Sequence, residues 1–277
     1  MLDLHCHLLP GIDDGAVDLD MALDMARMAV ADGIRTVACT PHIFPGMYEN
    51  TASGIRAAIA GLQAELDARD IALKLVEGAD VHLDPDLAAG IRGGRIPTIA
   101  GSRYLLLEPP HHIAPPRFEE SMFELMTIGI VPVITHPERL TWVEDQYDMF
   151  VRLAGRGVWM QVTAGALTGR FGRRVKYWGD KFVGEGHCHI VATDAHHPQR
   201  RPPLLAEARE AAAKLVGSDE AGHMVDARPG GIVADADPAV LPPLLSTTAG
   251  SRIGSASTRE PRRGVLERLI GRMRVEA

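Results

Sequence analysis

The sequence is short of everything that would mark a disulfide scaffold, a membrane span or a nucleotide fold. Its 277 residues include three cysteines, Cys6, Cys39 and Cys188, an odd number with no C-x-x-C pair. Neither a disulfide framework nor a zinc knuckle is indicated, and a reducing compartment is expected. No run of about 20 apolar residues occurs, so no membrane-spanning helix is expected. The opening MLDLHCHLLP has no basic n-region and no apolar h-region. With candidate ligands at positions 5 and 7, nothing could be cleaved from that end, and the cytoplasm is the expected location. Aromatic residues make up 5% of the chain, too few for extensive base stacking or carbohydrate platforms. The net charge of −7 disfavours a nucleic-acid partner.

Several enzymatic signatures are also missing. No glycine-rich nucleotide fingerprint follows the first apolar run, and G-x-S-x-G is absent. A cysteine-based phosphatase needs an Arg six positions after its thiolate. Here the three cysteines are followed at that distance by Ile12, Pro45 and Asp194. The motif D-x-D-x-[T/V] is approached only at Asp235-Ala-Asp237-Pro-Ala239, which fails at its last position.

What is present suits a globular protein with a sizeable core, at 46% hydrophobic and 23% charged residues. The length allows one large α/β domain or two small ones. Charge is distributed unevenly. Residues 246–277 hold seven Arg against three Glu, which leaves 22 basic and 33 acidic residues, a balance of −11, in residues 1–245. An acidic body suits a protein that collects cations.

Residues 1–245 alternate short apolar runs with longer stretches of helical period. The spacing predicts strands at 1–4, 36–39, 73–76, 104–107, 130–134, 158–162 and 189–192. Between them, Leu19, Leu23, Ala26 and Val30 follow helical spacing behind a candidate cap, Asp18. Further helices are predicted near 52–69, 117–127, 147–155, 173–184 and 204–216. Seven strands alternating with helices point to a parallel sheet with both faces covered, and a closed or distorted barrel fits better than an open sheet. From Ser246 the texture turns Ser/Thr/Gly/Arg-rich, which predicts a flexible linker. It leads to a short amphipathic helix with Val265, Leu266, Leu269, Ile270 and Met273 on one face and Arg268, Arg272 and Arg274 mostly off it. Such a segment either docks on the body or touches a membrane surface or partner.

Nine metal-competent residues fall just after the predicted strands, where the active sites of α/β barrels gather. They are His5, His7 and Asp14 after the first, His42 after the second, Asp80 after the third and Glu108 after the fourth. His136 follows the fifth, and Asp194 and His196 the seventh. Alternation along a strand turns His5 and His7 to one side and Cys6 to the other, and pairs Asp194 with His196. Mixed imidazole and carboxylate donors suit Mn²⁺, Fe²⁺ or Zn²⁺. Nine donors exceed what one ion can use, so two or three ions are expected.

These residues sit in DLHCHLLPGIDDGA, TPHIFPGMYEN, EGADVHL, RIPTIAGSRYLLLE, GIVPVITHPER, QVTAGALTGRFG and ATDAHHPQRRPP. Together the segments resemble the polymerase and histidinol phosphatase (PHP) superfamily, and more closely its branch of bacterial capsule-biosynthesis protein-tyrosine phosphatases. The resemblance implies a distorted (β/α)7 barrel of the PHP type over residues 1–245, with three divalent metal ions, typically Mn²⁺. By position, it implies a first ion on His5, His7 and Asp194, a second on Glu108 and His136, and a third on Asp14, His42 and His196. Asp80 would bridge the first two, where the family usually has the longer Glu. Arg139 and Arg201 would bind phosphate, work suited to a planar, bidentate guanidinium. Metal-assisted hydrolysis of phosphotyrosine is the implied activity, and a bacterial tyrosine kinase controlling exopolysaccharide assembly the implied substrate. The same ligands could serve a small-molecule phosphatase acting on histidinol phosphate or a nucleotide, or hold together a non-catalytic interaction module. An amidohydrolase also begins with H-x-H, but usually bridges its metals with a carbamylated Lys, where this chain has Asp80 and Glu108.

Overall fold

Short apolar runs form strands and the longer amphipathic stretches between them form helices. The computed structural model describes residues 1–246. The tail expected to end in an amphipathic helix lies, from residue 247 on, outside the described residues. Ten strands are present among the described residues, namely β1 (Leu2–Cys6), β2 (Thr36–Cys39), β3 (His42–Phe44), β4 (Tyr48–Glu49), β5 (Lys74–Glu77), β6 (Asp80–His82), β7 (Tyr104–Glu108), β8 (Val131–Thr135), β9 (Trp159–Thr163) and β10 (Ile190–Ala192). The main helices are α1 (Leu19–Ala31), α2 (Ala52–Asp67), α3 (Leu87–Arg92), α4 (Phe118–Thr127), α5 (Val143–Gly155), α6 (Ala164–Leu167), α7 (Arg173–Gly184) and α8 (Ala206–Val216). Asp18 caps α1 as expected: its backbone is extended and its side chain accepts the Met21 N–H at 2.9 Å.

The strands form two sheets, ordered β1-β2-β5 and β10-β9-β8-β7-β6-β3-β4, parallel throughout except for the β3–β4 hairpin. This differs from one ring of seven strands. After Cys39 and after Glu77 the chain breaks for two residues and resumes as β3 and β6, which pair in the other sheet. Between β1 and the chain beyond β10, the ladder is reduced to the single bridge Cys6–Ala195. The described strands therefore make a parallel α/β fold without a closed sheet.

Alternation along each strand sorts side chains between two clusters. Tyr104, Leu106, Val133, Trp159, Ile190, Leu4 and Ala38 share a small inner cluster. Their neighbours Leu105, Leu107, Ile134, Met160, Val191, Val37 and Cys39 face the helices in the large outer core. Ile232 packs into the inner cluster, and the Tyr104 hydroxyl donates to Ala236 O at 2.9 Å, so a late helical segment, Arg228–Val233, closes the end opposite the strand C-termini. The inner cluster is thus an apolar floor, and the polar side chains at the strand C-termini stand above it.

Candidate metal centre

The inner face carries the site as it carries the floor. On β7, Glu108 continues the side of Tyr104 and Leu106. On β1 the register shifts between Asp3 and Cys6, so Leu4 stays with the floor while Cys6 turns into the outer core and His5 and His7 face the site. His42 and Asp80 do not trail their strands; they begin β3 and β6 and pair side by side in register. His136 and Asp194 leave their strands in the left-handed region, at φ 35° and 51°. Non-glycine residues seldom adopt it, and held conformations of this kind concentrate at functional sites.

All nine predicted donors converge. His5 Nε2 lies 3.2 Å from His7 Nε2, 3.3 Å from Asp80 Oδ2 and 3.4 Å from Asp194 Oδ1. His42 reaches Glu108 Oε2 at 3.3 Å through Nδ1 and Asp14 Oδ1 at 3.5 Å through Nε2. His196 Nε2 is 3.3 Å from the same Asp14 oxygen, and His136 Nε2 is 3.6 Å from Glu108 Oε1. Donor atoms within 4.8 Å of one another form five overlapping groups that could each hold an ion. His7 joins Asp14, His42 and His196 as well as His5 and Asp80. His136 joins His5 and Asp194, and also Glu108 and His111.

A second layer fixes the rings. Gln161 Oε1 holds His5 Nδ1 at 2.9 Å and Asp13 Oδ2 holds His7 Nδ1 at 2.8 Å, which leaves both Nε2 atoms turned to the centre. Asp13 also accepts the backbone N–H groups of Gly15 and His42. The residue after Asp13 and Asp14 is a glycine for a steric reason: a Cβ on Gly15 would stand 2.2 Å from His7 O. Arg139 and Arg201 converge on Asp194 Oδ2, Arg201 Nη2 at 2.5 Å, and both guanidinium groups lie over the Phe171 ring, at 5.2 and 6.0 Å from its centroid.

The donors fit cations. Asp80 is buried, and neither of its oxygens makes a hydrogen bond among the described residues. Burial and the charge of Glu108 push its carboxyl above the usual range. Burial would do the same to Asp194, but Arg201, His5 and Arg139 hold it well below. Burial keeps His7 and His136 well below an ordinary imidazole, with neighbouring His196 and His42 adding to the effect on His7 and Arg139 to that on His136. Neutral imidazole is the ligating form. At His5 burial is outweighed by Asp80 and Asp194, which raise it to about 10. Buried carboxylates at one point, Asp80 with no hydrogen bond and a protonated His5 as its nearest counter-charge, are an arrangement that a divalent cation would relieve.

Residues 1–234 match the family described as capsular polysaccharide synthesis, CpsB/CapC. The chain belongs to this family. Among CpsB/CapC relatives, it is 33% identical over 219 residues to tyrosine-protein phosphatase YwqE of Bacillus subtilis (strain 168), covering 79% of this chain and 86% of that protein. It is 27% identical over 242 residues to tyrosine-protein phosphatase CpsB of Streptococcus pneumoniae, covering 85% and 99%. A solved chain from the crystal structures of YwqE from Bacillus subtilis and CpsB from Streptococcus pneumoniae, reported as unique metal-dependent tyrosine phosphatases, superposes with a TM-score of 0.82. The two are 31% identical over 86% of this chain and 96% of that one.

Four contributors were not among the sequence candidates. Asp13 stands beside a candidate, and its role depends on which of two adjacent aspartates the loop turns inward. Gln161 lies within β9, where alternation with Trp159 places it on the inner face. Phe171 carries no metal chemistry and gave no signal. His111 lies in the Pro-rich loop after β7, beyond the strand end.

Proposed function

We propose that the protein is a metal-dependent tyrosine phosphatase that hydrolyses phosphotyrosine on protein tails. Its substrate would be a bacterial tyrosine kinase controlling capsule or exopolysaccharide synthesis. The observation that carries this is the meeting of two arginines with the nine-donor cluster at Asp194, in a chain of the CpsB/CapC family. Three divalent ions are proposed, Mn²⁺ first, with Fe²⁺ or Zn²⁺ as alternatives. His5, His7 and Asp194 would hold the first, Glu108 and His136 the second, and Asp14, His42 and His196 the third, with Asp80 between the first two.

When bound, such ions supply Lewis acidity and lower the pKa of water. The protein's own groups do the rest. Gln161 and Asp13 fix the imidazole tautomers by occupying Nδ1. Arg139 and Arg201 have five N–H donors each, so contact with Asp194 leaves donors for the phosphoryl oxygens, and Arg201 Nε has no partner among the described residues. A tyrosyl phenolate, with a pKa of about 10, leaves with less protonation than an alkoxide needs.

The same proposal takes the fold as a distorted seven-unit barrel, in which β2 continues as β3 and β5 as β6. It takes residues 1–245 as the phosphatase domain and 246–277 as a separate basic segment able to touch a membrane. No helix among the described residues is long and apolar enough to cross one, and a cytoplasmic location is proposed. Turnover of a phosphotyrosine peptide, histidinol phosphate and a nucleotide, each with Mn²⁺ and with chelator, tests the activity. Metal-dependent preference for the peptide is expected. No metal-dependent turnover of any ester would refute the enzyme, and preference for a small ester would refute the tyrosine assignment.

A further inference from the structure

We infer that His111 is an additional ligand of the metal centre, joining Glu108 and His136 at one divalent cation. The inference rests on the metal-binding role proposed for Glu108 and His136. His111 Nε2 and His136 Nε2 both lie 3.6 Å from the same oxygen, Glu108 Oε1, and the three donor atoms fall within 4.8 Å of one another. A distance of 3.6 Å is too long for a hydrogen bond. It matches ligands sharing an ion: metal–ligand lengths of about 2.0–2.2 Å place neighbouring donors roughly 3.0–3.6 Å apart in octahedral or tetrahedral geometry.

The position of His111 is built into the fold. Its carbonyl accepts both the N–H and the hydroxyl of Thr141, at 3.0 and 3.1 Å, and Trp142 Nε1 donates to Pro110 O at 2.9 Å. These three bonds tie the loop after β7 to the segment just beyond His136, so the backbone at His111 is held close to the backbone that follows His136. The rings lie 5.1 Å apart between centroids. His111 is the exposed member, its side chain 30% accessible against 13% for Glu108 and 2% for His136. With Asp80 shared as proposed, four protein donors would leave positions of a six-coordinate ion open on that side for water or a phosphoryl oxygen. The adjacent His112 is not in any donor group and serves as an internal control.

Metal binding decides the matter independently of turnover. Equilibrium dialysis against Mn²⁺ and the visible absorption of the Co²⁺-loaded protein are to be compared for the wild type, His111→Ala and His112→Ala, with circular dichroism to verify folding. His111→Ala is expected to bind one ion of the set at least tenfold more weakly and to alter the Co²⁺ spectrum, with the other ions and the His112→Ala variant unchanged. A His111→Ala protein with wild-type affinities and an unchanged Co²⁺ spectrum would overturn the inference and leave His111 as a neighbour of Glu108 only. A wild-type protein that takes up no metal would overturn the metal centre itself, a distinct result.

Discussion

Replacing Asp80 by Asn should change stability in opposite directions with and without metal. Asp80 is 1% exposed, its oxygens form no hydrogen bond among the described residues, and its nearest counter-charge is His5 at 3.3 Å. A buried polar group without a partner costs about 1–3 kcal/mol. Because burial and Glu108 raise its pKa, the ionised form is disfavoured by the fold. Asn has nearly the same volume and no charge. The amide stays buried without a partner and loses the attraction of His5, so only the relief of the charge counts, and in chelator Asp80→Asn is expected to be about 1 kcal/mol more stable. At about 2–4 °C per kcal/mol for a domain of this size, Tm should rise by roughly 2–4 °C.

With divalent metal the sign should reverse. An ion at a hundredfold excess over its Kd stabilises the native state by about 2.7 kcal/mol, and a neutral amide is a poor substitute for a bridging carboxylate. A hundredfold loss of affinity at one ion removes nearly all of that increment, and the proposed sharing of Asp80 by two ions would double the loss. Differential scanning calorimetry across a titration from chelator to excess Mn²⁺ would show the variant melting above the wild type at one end and below it at the other. A variant that is destabilised equally at both ends would refute the reasoning, because it would make Asp80 a structural partner of His5 rather than a ligand.

Phe171→Ala removes the ring beneath both arginines; at about 0.5–1 kcal/mol per cation–π contact, kcat/KM for a phosphotyrosine peptide should fall roughly 5–30-fold with metal content unchanged, and loss of metal would count against it. Gly15→Ala places a methyl group 2.2 Å from His7 O, so the loop must move; dialysis should show weakened binding at the ions that use His7, and intact binding would refute the steric argument. Asp3 is raised from 3.8 to about 6, burial outweighing its hydrogen bonds from Thr193 and His5. Since the native state then binds the proton more tightly, this group's contribution is full below pH 3.8 and lost as pH rises through about 6. Urea denaturation in chelator should show Asp3→Asn flattening the fall in stability across that window, and an unchanged slope would contradict it.

The helices and the apolar strands were legible because their periods are carried by many residues. Helix α7 was expected at 173–184 and spans Arg173–Gly184; α1 begins at the expected cap, Asp18. The strands β3, β4 and β6 were not legible. Each is two or three residues long, and HIF, YE and DVH show no alternation a pattern could detect. Those short strands split the sheet in two, so the expected ring was the part of the fold least available to sequence reasoning. The nine candidate donors that the structure brings together were named from chemistry and position after an apolar run alone. His111, Asp13, Gln161 and Phe171 act through loop geometry or through a neighbour, which residue type alone does not encode.

His136 and Asp194 show why position after a strand was a sufficient guide even where the strand itself was not. Val131 and Val133 face the floor and Ile134 the helices, so an unbroken strand would send His136 toward the helices. The turn to φ 35° brings it back to the centre. Glycine would adopt that conformation without strain, but has no donor to offer. The residual cost, of order 1–3 kcal/mol per residue, is met by the surrounding bonds: Arg139 N–H to His136 O at 2.9 Å on one side and Asp194 N–H to His5 O at 2.7 Å on the other. The second bond joins two candidate ligands from the first and last strands, so the contact that completes the site also links the ends of the two sheets.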